Sequence, residues 1–214
     1  MVRLRRALFA ADSLYDFLTV EKISRDDVNL LPIRRYEGEI VLVETADALE
    51  RAMTDIRAQR VVGFDTETRP AFRPGESYLP SLAQVATEEA VFLFKLPGNE
   101  AALAELLQSA AIIKAGISMA DDIKGLKKMF AFEEQAILDL GTLAKRHGFK
   151  QSGVRNLTAL LLGWRIAKGA KTTNWAARTL SRQQIVYAAT DAWACRELYF
   201  KLEALGPTAG APAA

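Results

Sequence analysis

Val61-Val62-Gly63-Phe64-Asp65-Thr66-Glu67-Thr68 is the stretch on which the reading of this chain turns. A short apolar run, strand-like in character, passes directly into two carboxylates with one residue between them. Side chains alternate along a strand, so Asp65 and Glu67 share a face. Two anions side by side repel each other, and a protein tolerates them best with a cation between them. Hard divalent ions such as Mg²⁺ and Mn²⁺ prefer oxygen ligands. The pair is a weak signal by itself, because an acid at a strand end is often a turn or helix-cap residue.

The neighbouring segments supply a sheet for this strand. Ile40-Val41-Leu42-Val43 reads as a strand, and Ala46 to Arg57 has helical periodicity. Leu82 to Ala86 and Val91 to Phe94 read as a hairpin joined by Thr87-Glu88-Glu89. Ala101 to Leu107 is helical, and Ile112 to Gly116 is a strand leading into a helix from about Ala120 to Met129. Beyond it the chain reads as all helical, around Leu138 to Arg146, Asn156 to Leu162 and Ser181 to Leu202. Strands first, helices last and αβ crossovers between them predict an α/β fold, a mixed central sheet flanked by helices with a helix-rich C-terminal half. Residues 1–38 are expected to form a helical appendage, with Leu14, Phe17 and Leu18 at helical spacing and Ser24 to Asp27 as a cap. Residues 39–205 are expected to form the main domain, and the small, turn-prone residues 206–214 a disordered tail.

Two further acids stand out. Asp122 follows the strand end Ala115-Gly116-Ile117-Ser118 and opens a helix, with Leu126 one turn later. Acids in a first helical turn complement the dipole, which accounts for Asp121 and Asp122 without any ligand. Asp191 is harder to explain. The capping box Ser181 to Gln184 starts a helix near residue 182, so Tyr187 and Asp191 fall at i and i+4 on one face. Ala188, Ala189 and Ala192 surround them and permit close backbone approach. An aspartate in an apolar helix is costly unless it pairs or binds a metal, although a tyrosine–aspartate hydrogen bond in a core would also serve.

Bulk properties narrow the field. The chain has 214 residues, half of them hydrophobic and a quarter charged, with a formal net charge of +2. That profile fits a folded domain, not a histone-like polycation. One cysteine, Cys195, excludes an intramolecular disulfide, and one histidine, His147, excludes a histidine cluster. No stretch approaches the ~18 apolar residues of a membrane span. The N-terminal apolar stretch is too short for a signal peptide and is interrupted by Asp12 and Asp16, so an intracellular, cytoplasmic location is expected.

Taken together, the motifs resemble the DEDD superfamily of 3′→5′ exonucleases in its tyrosine-containing branch, as in ribonuclease D and the exonuclease domain of the Werner syndrome helicase. Asp65-Thr66-Glu67 matches the first motif, Gly116 to Asp122 with Leu126 the second, and Tyr187-Ala188-Ala189-Thr190-Asp191-Ala192 the third. Ser81 to Val85 and Asn174-Trp175 resemble segments between the motifs, and the likeness covers roughly residues 39–205. The leucine spacing favours Asp122 over Asp121 as the second-motif acid.

The resemblance implies an RNase H-like (DnaQ-like exonuclease) fold and catalysis with two divalent cations, Mg²⁺ or Mn²⁺. Asp65 would bridge both ions, Glu67 and Asp191 would complete one site, and Asp122 would serve the other through water. Tyr187 would orient the attacking water, and the product would be a nucleoside 5′-monophosphate. The partner is a nucleic acid with a single-stranded 3′ end, DNA or RNA. Thr66, Phe72, Tyr78, Lys168, Lys171 and Asn174 are candidates for substrate contact, and Lys114, Lys124, Lys127, Lys128 and Arg178 add positive charge. One competing reading is a non-catalytic nucleic-acid-binding module on the same fold, which would be expected to have lost at least one of these acids. Another is an RNase H-like endonuclease or an aspartate-dependent phosphatase, neither of which requires the helical Tyr187–Asp191 pair. The last is a scaffold whose acids are caps and surface charges.

Overall fold

Val61–Thr68 forms strand β3, longer than its apolar run, so Asp65 and Glu67 lie within the strand. The computed structural model describes residues 21–167, 169–170 and 172–206. In chain order its elements are α1 (Arg25–Leu30), β1 (Ile33–Arg34), β2 (Glu39–Val43), α2 (Ala46–Arg57), β3, β4 (Pro80–Ala86), β5 (Ala90–Lys95) and α3 (Glu100–Gln108). Then follow β6 (Ile113–Gly116), α4 (Met119–Lys127), β7 (Ile137–Asp139), α5 (Leu140–Arg146), α6 (Val154–Leu157), a π turn over Thr158–Leu162, β8 (Arg165–Ile166) and α7 (Arg182–Ala204).

Among the described residues the main sheet has six strands in the order β2-β5-β4-β3-β6-β7. The expected hairpin is present, with β4 antiparallel to both β3 and β5. The pairs β2–β5, β3–β6 and β6–β7 are parallel, so the sheet is mixed. A small parallel pair, β1–β8, lies apart from it. Val62 and Phe64 face one side of the sheet, in a core with Ala52, Met53 and Ile56 of α2 and Leu103, Leu106 and Leu107 of α3. The other side is covered by α7, whose Ala188, Ala189 and Ala192 pack with Leu82, Ala86, Val91 and Leu93. Small residues let the helix approach closely, and β3 answers with Gly63.

The reading of the second half as all helical is corrected by β7 and β8. The three-residue β7 runs without a break into α5, and one apolar run can hide that change of geometry. Asp139 marks the junction, where its side chain accepts a hydrogen bond from Thr142 N at 2.7 Å and caps α5. The other carboxylate oxygen accepts from Met119 N at 3.2 Å, tying down the start of α4.

Of residues 21–38, Ile23, Val28 and Leu31 pack with Leu198, Tyr199 and Leu202 of α7. Ser24 caps α1 as expected, and the helix ends before Pro32. The helical spacing at Leu14 to Leu18 and all of the tail beyond Gly206 lie outside the described residues. Among the described residues no helix is long and apolar enough to cross a membrane.

Candidate active site

Two elements bring the carboxylates together. Alternation along β3 turns Asp65 and Glu67 toward α7, and α7 crosses the sheet so that Asp191 meets them. Each of the three acids offers an oxygen, and these oxygens lie within 4.8 Å of one another. Glu67 and Asp191 are buried, and Asp65 is partly exposed. Such a set of hard oxygen donors fits a divalent cation, and its clustered negative charge would be unfavourable without one. The register of β3 against β4 shifts between Glu67 and Thr68, at the end of the acid pair. Bulges of this kind re-aim side chains next to functional sites.

The acids line a cleft of about 380 Å³ together with Tyr187, Cys195, Ile117, Ser118, Arg155 and Asn156. Tyr187 stands one helical turn before Asp191 and is backed by the buried ring of Trp175, with centroids 6.1 Å apart. Burial pushes the Tyr187 phenol far above its ordinary pKa, and the charges of Asp191, Glu67 and Asp65 push it further. Its hydroxyl therefore keeps its proton. Cys195, a turn beyond Asp191, is buried at the base of the cleft, and burial followed by the nearby carboxylates raises its thiol pKa. It is an inert packing residue.

Asp122 stands apart from the three-acid set. Its Oδ1 accepts a short hydrogen bond from the Thr66 hydroxyl. Thr66 lies between Asp65 and Glu67 and is itself among the residues that line the cleft. Asp122 is thus tied to the acid-bearing strand. Burial raises its carboxyl pKa, partly offset by the Thr66 bond.

The substrate-contact candidates are dispersed. Phe72 is 76% exposed in the loop after β3, and Tyr78 in the same loop stacks under Arg69, with the guanidinium 4.7 Å from the ring centroid. Asn174 is exposed, and its Oδ1 accepts from Ala176 N at 3.2 Å. None of the three lines the carboxylate cleft. Lys168 and Lys171 lie outside the described residues. Lys114 is corrected from surface charge to core: it is fully buried, and its Nζ donates to Ser109 O at 2.5 Å. Lys127 is held by Glu134. The cleft residues Arg155 and Asn156 escaped the sequence reading, because a single polar pair opening a short helix carries no distinguishing pattern. The buried Nε of Arg155 has no hydrogen-bond partner among the described residues.

An acid pair on a central strand, a third acid on the helix crossing it and a protonated phenol beside them define a carboxylate-lined site, able to hold a metal ion, on a mixed α/β sheet. A family model described as 3′-5′ exonuclease matches residues 40–206, and the chain belongs to that family. Ribonuclease D of Acidiphilium cryptum is 33% identical over 172 residues, covering 78% of this chain and 43% of that protein. The bifunctional 3′-5′ exonuclease/ATP-dependent helicase WRN of Mus musculus is 29% identical over 191 residues, covering 84% of this chain and 14% of that one. The crystal structure of Escherichia coli RNase D, an exoribonuclease, superposes with a TM-score of 0.68 at 25% identity, over 78% of this chain and 46% of the other. The chain therefore spans less than half the length of each of these relatives.

Proposed function

We propose that this chain hydrolyses DNA or RNA from a single-stranded 3′ end to nucleoside 5′-monophosphates, as a tyrosine-branch member of its family. The observation that carries the proposal is the meeting of Asp65, Glu67 and Asp191, with oxygens within 4.8 Å, beside Tyr187 in an open cleft. Asp65, Glu67 and Asp191 would hold divalent cations, Mg²⁺ or Mn²⁺, with Asp122 contributing through water. When bound, two such ions activate water and stabilise the leaving oxygen of an in-line displacement.

The remaining work falls to the protein. Tyr187, kept protonated by burial and by its acidic neighbours, orients the attacking water through its hydroxyl and does not act as a strong base. Trp175 fixes the position of that ring. Thr66 holds Asp122 in place, and Asp139 fixes the start of the helix that carries it. Arg155 brings a guanidinium to the cleft wall, a donor suited to a phosphate oxygen.

The test is degradation of 5′-labelled single-stranded DNA and RNA with Mg²⁺, Mn²⁺ or EDTA, comparing wild type with Asp65→Ala and Asp191→Ala. Metal-dependent shortening from the 3′ end, lost in both variants, is expected. Internal cuts, or no cleavage of either polymer by folded protein, would reject the reading.

A further inference from the structure

A second concavity lies against the first. It is a groove of about 1000 Å³ between the N-terminal segment and the start of α7. Arg34 and Arg35 come from one wall and Arg182 from the other, with Glu37 as the acidic residue among the lining. All three arginines are exposed, and none forms an ion pair with a carboxylate among the described residues. Arg51, Arg57 and Arg60 elsewhere on the surface are each matched to a glutamate. The groove thus carries a net positive charge left uncompensated by the fold.

The groove is also built in place. Tyr36 N donates to Thr190 Oγ1 at 3.0 Å, which pins the arginine-bearing segment to α7 at the residue next to Asp191. Pairing of β1 with β8 holds the segment at Ile33 and Arg34, and the ring of Tyr36 packs on Trp193. Tyr187 lines both the groove and the carboxylate cleft. The groove and the cleft thus adjoin at Tyr187, and a strand with its 3′ end at the acids would meet the arginines beyond that ring. Residues 33–38 lie just before the stretch matched by the family model.

We infer that this groove binds the sugar–phosphate backbone of a single-stranded nucleic acid upstream of the 3′-terminal nucleotide, through Arg34, Arg35 and Arg182. The inference rests on the exonuclease reading for the direction of the strand. Arginine suits phosphate because its planar fork offers paired donors. Phosphate contacts position a strand without reading its bases, so the groove would be indifferent to sequence. It would favour strands long enough to reach it.

The test compares wild type with the triple variant Arg34→Ala/Arg35→Ala/Arg182→Ala, using a 5′-fluorescein-labelled 12-mer and a trimer of the same composition. Binding is read by anisotropy in EDTA, so that it does not depend on cleavage, and turnover is read with Mn²⁺. The expected result is a KM for the 12-mer raised about tenfold or more, with kcat unchanged and trimer hydrolysis unaffected. The slope of log K against log salt should flatten by about 2 for the loss of three single-strand phosphate contacts. The variant Arg34→Lys/Arg35→Lys/Arg182→Lys, which keeps the charge, should recover most of the binding. Equal losses on 12-mer and trimer, an unchanged salt slope, or no binding of the 12-mer by wild type would overturn the inference, as would a lysine variant no better than the alanine one. A wild type that binds the 12-mer through these arginines but degrades nothing would reject the exonuclease reading and leave the groove standing.

Discussion

Gly63 of β3 and Ala192 of α7 meet backbone to backbone: a β-carbon on Gly63 would lie 1.9 Å from the Ala192 carbonyl oxygen. No flexible side chain is available to yield, so Gly63→Ala must push the helix off the strand. Asp191 immediately precedes Ala192 and would be carried away from Asp65, two residues along β3. Overpacking of a close-packed contact costs about 1–3 kcal/mol. We expect Gly63→Ala to lower the melting temperature and cut nuclease activity at least tenfold. A variant with wild-type melting and turnover would show that the contact does not set the position of Asp191.

Three carboxylates whose oxygens approach within 4.8 Å repel one another when nothing cationic lies between them. Neutralising one should therefore stabilise the metal-free protein. In EDTA, Asp191→Asn should melt a few degrees above wild type, where ~1 kcal/mol corresponds to about 2–4 °C in a chain of this size. Adding Mn²⁺ should raise the wild-type midpoint and leave the variant nearly unmoved, reversing the order. Calorimetry with and without Mn²⁺ checks both. Equal shifts in the two proteins would mean that the ion binds elsewhere.

Thr66 stands between the two β3 acids and holds Asp122 through its hydroxyl. Removing its hydroxyl in Thr66→Val keeps the shape and β-branching and frees the Asp122 carboxyl. A hydrogen bond to a charged group is worth ~1.5–3 kcal/mol, so loss of Asp122 positioning should lower kcat by about tenfold. Thr66→Ser should retain most activity. Indistinguishable kinetics for the valine and serine variants would remove Asp122 from the reaction.

What the sequence disclosed follows the physics of pattern. The strands and hairpin between Glu39 and Lys95 are short apolar runs separated by turn residues, and they fold as read. The third acid was legible because Asp191 among alanines violates the apolar rule of its helix, and such violations concentrate at sites of chemistry. The misreadings have the opposite character. At Ile137 to Asp139 strand and helix share one apolar run, so periodicity does not separate them. Lys114 looks like surface charge in a one-dimensional reading, and only the parallel pairing of β6 between β3 and β7 shows it to be enclosed. The arginine groove brings residues near 34 against residue 182, a proximity no local pattern encodes.

Lys114 itself makes a test of that enclosure. Burial lowers its amine from the ordinary 10.5 to about 8, with Ser109 O as acceptor. Below pH 8 the lysine is charged in both folded and unfolded chains, and the folded protein bears the cost of burying that charge. Between pH 8 and 10.5 the folded protein has released the proton while the unfolded chain still holds it. The unfolded state then binds more protons, and stability from this group rises with pH across that window. Lys114→Met removes the titration and keeps a side chain of similar length. The midpoint of wild type should therefore gain on that of the variant as pH rises from 8 to 10.5, and the difference between them should be flat from pH 6 to 7. Urea denaturation of both proteins across this range checks the sign, and a pH-independent difference would place Lys114 in contact with solvent.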